Sequence, residues 1–184
     1  MCIAWVGDSQ ALLIVEKEPR TLSIEWMSRI HQPTAEDEKQ RVLKSGGWVD
    51  QTKSGGVPIG PLRVYKKGEK TPGLMVTRSL GDADAHEVGV SAVPECYFRT
   101  LFPEDRYIVI CSDGVWDVVN EHQVLKVVME CSPDMPKATK KIVQMAREGW
   151  KRIKRADNIT CQIVMINFPE SRVRRDSRAH PSEN

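Results

Sequence analysis

The 184-residue sequence lacks any apolar run of membrane-spanning length, any CxxC pair and any internal repeat. The first absence argues against a helical membrane anchor, because a bilayer crossing needs about 20 apolar residues in succession. The second, with five widely spaced cysteines (Cys2, Cys96, Cys111, Cys131, Cys161), argues against a zinc site or a disulfide framework. Cys111 and Cys161 sit in apolar, strand-like runs where a thiol acts as a small hydrophobe. A reducing, intracellular setting, cytoplasmic or nuclear, is therefore expected. Charge of one sign is also lacking: the net charge of +2 argues neither for nor against an anionic partner. The opening Met-Cys-Ile-Ala-Trp-Val-Gly has neither the basic nor the apolar region of a signal peptide, and Cys2 excludes N-myristoylation. What remains is ordinary for a globular domain: 40% hydrophobic, 28% charged and long enough to bury a substantial core.

The most informative stretch runs from Asp105 to Val119. Tyr107–Cys111 is a short continuous apolar run rich in β-branched residues, which predicts a strand buried on both faces. It ends at Ser112-Asp113-Gly114, where the glycine permits a sharp turn and leaves the Asp113 carboxylate at the strand end. A carboxylate carried by a rigid strand suits a cation or a reacting group; taken alone, Asp-Gly after a strand is more often an ordinary turn.

Upstream, Cys2–Val6 and Ala11–Val15 read as strands joined in a hairpin through Gly7-Asp8-Ser9-Gln10, with Leu22–Met27 a third strand. Thr34 as N-cap, with Asp37 at N3, opens a helix that runs to Leu43 and stops at Gly46-Gly47. From Trp48 to Gly73, glycines and prolines interrupt every pattern, and an irregular insertion is expected, either a functional flap or mobile loop or a tolerated surface insertion. Leu74–Asp84 offers an Arg78/Asp82 ion pair of the structural kind. A strand is expected over Val93–Leu101. Asn120 with Gln123 forms a capping box for a helix to about Cys131. A second helix starts near Pro133 or Pro136 and ends near Gly149. Trp150–Arg155 reads as a basic spacer, Ile159–Phe168 as the last strand, and residues 169–184 as a disordered basic tail. The basic segments lack aromatic interleaving or any recognition motif, so no nucleic-acid partner is expected.

Asp8, Asp113 and Asp157 share a local grammar, each adjoining a β-rich run and a turn residue (Gly7, Gly114, Asn158). If their strands lie side by side, three carboxylates converge on one sheet rim. Oxygen ligands without histidine or cysteine suit a hard ion such as Mg²⁺ or Mn²⁺; singly, each aspartate is an ordinary turn residue.

Six blocks then stand in order: Val6-Gly7-Asp8-Ser9-Gln10-Ala11; His31, Pro33, Glu38 and Arg41; Gly46-Gly47; Thr77-Arg78-Ser79-Leu80-Gly81-Asp82; Cys111-Ser112-Asp113-Gly114-Val115-Trp116-Asp117; and Asp157-Asn158-Ile159-Thr160. In content and order they resemble the type-2C metal-dependent protein phosphatases, from Cys2 to about Phe168. The resemblance implies an α+β fold over residues 1–168, part of an α/β/β/α sandwich of antiparallel sheets flanked by helices, with 48–73 as a flap that helps select substrates. It implies hydrolysis of phosphoserine and phosphothreonine in proteins, Mg²⁺ or Mn²⁺ as cofactor, and phosphoproteins as partners. Matched position by position, Asp113 and Asp157 correspond to ligands of one core metal. Asp8 corresponds to the carboxylate that, with Asp113, holds a weaker third ion. Arg78 and Asp82 match a motif near the site, where a structural role is expected. The basic charge before Asp157 would weaken cation binding there or attract substrate phosphate. No residue is matched to a catalytic or substrate-binding role.

The family's amino-terminal half carries a phosphate-gripping arginine, a Glu-Asp pair and an Asp-Gly-His-Gly block whose aspartate bridges two metals. These have no counterpart in this sequence. The expectation is an incomplete phosphatase domain, impaired in turnover or completed by a partner chain. The alternative is a catalytically inactive, phosphatase-like module that binds phosphoproteins or regulates a partner.

Overall fold

The computed structural model describes residues 1–18 and 21–168. In chain order its elements are β1 (Cys2–Trp5), β2 (Gln10–Glu18), β3 (Thr21–Trp26), α1 (Glu36–Lys44), β4 (Gly47–Ser54), β5 (Val57–Lys66), β6 (Pro72–Leu74), α2 (Ala83–His86), β7 (Glu95–Phe98), β8 (Asp105–Cys111), α3 (Asp113–Trp116), α4 (Glu121–Cys131), α5 (Met135–Arg152) and β9 (Cys161–Met165). Helices and antiparallel sheets are mixed, the expected α+β class. The chain divides into two compact units. Among the described residues, one is built from Met1, Gln10–Met27 and the chain from Arg99 to Phe168, the other from Cys2–Ser9 and Ser28–Phe98. The tail at 169–184 lies outside the described residues.

The first unit is a four-stranded antiparallel sheet in the order β3-β2-β8-β9. Ala11–Val15 of β2 is buried without a break, as a continuous apolar run in an interior strand requires. β8 departs from the expectation of burial on both faces. Tyr107, Val109 and Cys111 point inward, whereas Ile110 is 38% exposed. Both alternating sets of side chains are apolar here, so composition concealed the period of two. Leu12, Ile14, Val109 and Cys111 pack with Val115, Val124, Val128 and Ile142 from the helices in one core.

α4 opens on the expected capping box, in which the Gln123 amide donates to Asn120 Oδ1 and the Asn120 amide donates to Gln123 Oε1. α5 passes Gly149, where an end was expected, and continues to Arg152. A Cβ at Gly149 would lie 2.7 Å from Val118 Cβ, so this glycine marks a close approach rather than a helix stop. The inward residues Met135, Ala138, Ile142, Ala146 and Trp150 keep the helical period throughout.

In the second unit, β1 pairs with β7, placing Cys2 opposite Phe98 and Trp5 opposite Glu95. The expected hairpin across Gly7–Gln10 does not form: the strands it joins enter different sheets. The 48–73 segment is also not irregular. β4 and β5 form a long hairpin around Gly55-Gly56, whose φ values of 57° and 83° suit a two-residue turn of the primed type, and β6 adds a third strand. Val42, Val64, Ala85, Val88 and Val90 make a separate small core. α1 is capped by Ala35 rather than Thr34, without a side-chain bond. Its first turn instead carries Glu36, Asp37 and Glu38, which oppose the positive end of the helix.

Candidate functional site

In the first unit, β8 delivers the chain to Ser112, and α3 begins at Asp113. The loop carrying Asp157 is stitched to this point. The Ser112 amide donates to the Thr160 carbonyl at 3.1 Å, the Thr160 amide donates to Ser112 Oγ at 3.1 Å, and Ser112 Oγ–H donates to the Asn158 carbonyl at 3.1 Å. Gly114 lies so close to this loop that a Cβ on it would stand 2.1 Å from the Asn158 carbonyl oxygen. The segments bearing Asp113 and Asp157 therefore meet along a tight backbone seam. From within the unit, Trp150 Nε1–H donates to the Gly114 carbonyl at 2.8 Å. The Trp116 indole fixes the end of β8 by donating to the Cys111 carbonyl at 3.0 Å and the Gln10 carbonyl at 3.2 Å.

Each aspartate orders the backbone that follows it. Asp113 Oδ1 accepts from the Gly114 amide at 2.8 Å, and Asp157 Oδ1 accepts from the Asn158 amide at 2.7 Å. Asp113 is half-buried and Asp157 exposed. Beside Asp157, a depression of about 190 Å³ is lined by Arg147, Lys151 and Arg155 together with Trp150 and Ile159. The basic spacer thus belongs partly to α5, and it gives the rim near Asp157 positive potential.

Asp8 belongs to the second unit, in the turn between β1 and β2, where Gln32 Nε2–H donates to its Oδ2 at 3.5 Å. Arg78 does not pair with Asp82. Its guanidinium donates to Glu38 Oε1 at 2.6 and 3.0 Å and to Glu95 Oε1 at 3.0 Å, while Asp82 adopts left-handed backbone (φ 52°) ahead of α2.

Glu38 is the hub of the second unit. Its side chain is fully buried; Arg41 donates to both carboxylate oxygens at 2.8 and 2.6 Å, and Thr77 Oγ1–H donates at 2.5 Å. Burial alone would raise its pKa, but the bonds from Arg41, Arg78 and Thr77 prevail and hold the carboxyl well below the usual range. Around it, Arg29 bridges Asp37 and Glu95. His31, buried and stacked on Trp5 at 5.9 Å between ring centroids, has its pKa lowered first by burial and then by Arg78.

His31, Glu38 and Glu95 offer ligand atoms within 4.8 Å of one another, a grouping of the size that holds a metal. Here the carboxylate charge is already met by three arginines, so the cluster is an ion-pair core rather than a cation site. Asp113 and Asp157 stand on segments of the first unit that meet at the seam, and each carboxylate accepts one backbone N–H. Carboxylate oxygens such as those of Asp113 and Asp157 are the donor type that suits a hard divalent ion. Sequence reasoning missed the Glu38 hub, in which Arg41 is three residues away but Thr77, Arg78 and Glu95 are distant in the chain, and Trp150, which the helical period of α5 would have revealed. No helix among the described residues is long and apolar enough to cross a membrane.

Comparison with known proteins bears on this geometry. The protein-family model described as Protein phosphatase 2C matches residues 1–159. The chain is 31% identical over 173 residues to "Probable protein phosphatase 2C 73" of Arabidopsis thaliana, covering 92% of this chain and 44% of that protein. It is 34% identical over 151 residues to "Probable protein phosphatase 2C 12" of Oryza sativa subsp. japonica, covering 82% and 38%. The chain therefore spans less than half the length of these two relatives. Among solved structures, a serine-threonine phosphatase 2C from Toxoplasma gondii matches with a TM-score of 0.77 at 24% identity, over 89% of this chain and 54% of that one, a likeness of fold. A C. elegans sex determining protein matches with a TM-score of 0.70 at 27% identity, over 89% of this chain and 36% of that one.

Proposed function

The chain belongs to the protein phosphatase 2C family, and from that membership we propose that it acts in the hydrolysis of phosphoserine and phosphothreonine in proteins, with Asp113, Asp157 and Asp8 as metal-binding carboxylates. The observation that carries this reading is the seam in which Gly114 packs on the Asn158 carbonyl, because it brings together the two segments bearing Asp113 and Asp157. Mg²⁺ or Mn²⁺ is the ion this donor set favours. A bound divalent ion supplies activation of water and stabilisation of charge on the phosphoryl group, toward a barrier lowering on the order of 20 kcal/mol. This chain's residues divide the remaining work. Asp113 and Asp157 hold the ion, Ser112 and Trp150 keep their segments in register, and Arg147, Lys151 and Arg155 attract a phosphate dianion to the rim.

Titration of the chain with Mn²⁺ by calorimetry, alongside hydrolysis of phosphoserine and phosphothreonine peptides, tests the reading. Asp113→Asn and Asp157→Asn are each expected to weaken Mn²⁺ binding by at least about tenfold and to abolish any metal-dependent turnover. Wild-type protein that takes up no Mn²⁺ would refute the assignment of the carboxylates. Phosphopeptide binding that needs no metal and yields no turnover would instead favour an inactive binding module.

A further inference from the structure

In the β8/β9 ladder, Cys111 stands directly opposite Cys161. The ladder bond at this end links their neighbours, Ser112 and Thr160, so the two cysteines form a non-hydrogen-bonded pair. That is the antiparallel position where side chains stand closest, with Cα atoms about 4.5 Å apart. A disulfide spans about 4.4–6.8 Å between Cα atoms, so no backbone movement is needed to bridge them. Both side chains face the helix-covered side of the sheet, where Cys111 is part of the core and Cys161 packs against it. The two thiols are within hydrogen-bonding reach of each other. Cys111 is 1% exposed, whereas Cys161 is only half-buried and lies on β9, the last strand of this sheet among the described residues. Cys161 is therefore the more accessible of the two residues, and Cys111 lies deeper in the core. The hydrogen bond from Cys111 also lowers the pKa of Cys161, favouring its thiolate.

The other cysteines do not share this geometry. Cys131 is buried, and Cys2 and Cys96 are exposed on β1 and β7, where their opposite residues are Phe98 and Ala4.

We propose that Cys111 and Cys161 are a redox-active thiol pair that a hydroperoxide converts into a cross-strand disulfide and that a small thiol such as glutathione restores. With hydrogen peroxide, the Cys161 sulfur attacks one peroxide oxygen and the O–O bond breaks. The departing hydroxide takes the proton of the Cys161 thiol and leaves as water, and Cys161 becomes a sulfenic acid. The Cys111 sulfur then displaces the hydroxyl from Cys161, forming the S–S bond. That hydroxyl leaves with the Cys111 proton as a second water. Two thiols are oxidised, one peroxide is reduced, and two glutathione thiols reverse the change by exchange, leaving glutathione disulfide. The bridge makes covalent the alignment of β8, which ends just before Asp113, with β9, which begins just after the Asp157 loop.

The test treats the full chain, and a Cys2→Ser/Cys96→Ser variant, with graded hydrogen peroxide. Free thiols are then alkylated, and the digest is examined by mass spectrometry without reduction. A peptide pair joined through Cys111 and Cys161 is expected from monomeric protein, disappearing after dithiothreitol and absent from Cys161→Ser. If Cys161→Ser fails to fold, the joined pair in the Cys2→Ser/Cys96→Ser protein decides the matter alone. Oxidation of Cys161 to sulfinic or sulfonic acid with Cys111 still alkylatable overturns the proposal. So does a link to Cys131, a link between chains, or resistance of both thiols to peroxide.

Discussion

Trp150 donates its indole N–H to the carbonyl of Gly114 at 2.8 Å, a bond that lies out of solvent and ties the last full turn of α5 to the helix that begins at Asp113. Phenylalanine at position 150 would retain most of the apolar contact and leave a buried carbonyl without its donor. Trp150→Phe is expected to cost about 1–3 kcal/mol, and Trp150→Ala about 3–5 kcal/mol, in urea unfolding followed by circular dichroism. A phenylalanine variant as stable as the wild type would remove this bond from the account of the site.

Gly114 and Gly149 are both required for space, but against different neighbours. A Cβ at Gly114 would lie 2.1 Å from a backbone oxygen, whereas one at Gly149 would meet the Val118 side chain at 2.7 Å. A side chain yields more readily than backbone. Gly114→Ala is therefore expected to lose about 2–3 kcal/mol, and Gly149→Ala about 1–2 kcal/mol, by the same unfolding measurement. Only Gly114→Ala is expected to weaken Mn²⁺ uptake, because only it pries the Asp113 segment from the Asp157 loop.

Glu38 is fully buried beneath Arg41 and Arg78, and its loss strands charge rather than merely removing a contact. Glu38→Gln keeps the shape but leaves the Arg41 guanidinium without its counter-ion and Arg78 with Glu95 alone. The expected cost is about 3–5 kcal/mol. Glu87→Gln, which breaks the solvent-exposed pair with Lys66, is expected to cost less than about 1 kcal/mol. Equal losses in the two variants would show that the buried network is no stronger than a surface pair.

How much of this was legible beforehand follows from the range of each interaction. The capping box of Asn120 and Gln123 was readable because its partners are three residues apart. The turn at Gly55-Gly56 was readable too, but the surrounding prolines and glycines drew attention away from the strands beside it. Gly7 misled because a turn signal does not say which sheet the next strand joins, and β1 found β7 far along the chain. Gly149 reads locally as a helix end, yet Trp150 continues the apolar stripe of α5. The aspartates at 113 and 157 could be named from local grammar, whereas the seam between their loops depends on the β8/β9 register, which no local pattern specifies. The same limit hid the role of Glu38: Arg41 is its i,i+3 neighbour on α1, but no local pattern brings Thr77 and Arg78 to it.

Acid should undo the second unit through this same network. Glu38 is held below its ordinary value of 4.5 by Arg41, Arg78 and Thr77 against the opposing effect of burial. His31, faced by Glu38, Glu95, Arg78 and the Trp5 ring, is held below 6.5, first by burial and then by Arg78. In both cases the unfolded chain takes up protons at a higher pH than the folded one, and stability rises with pH wherever the unfolded state binds more protons. Stability is therefore expected to be complete above about pH 7, to decline below about pH 6.5 as unfolded His31 becomes charged, and to fall more steeply below about pH 4.5 as unfolded Glu38 is protonated. Asp37, depressed to about 2 by Arg29, pulls the same way, though its exposure keeps its share small. Urea unfolding at intervals from about pH 7.5 to about pH 4 measures the slope. His31→Gln is expected to flatten the upper part of that curve and leave the lower part steep. A wild-type curve already flat between about pH 7 and pH 5 would mean that His31 accepts its proton in place, beside Glu95, and that burial does not govern its charge.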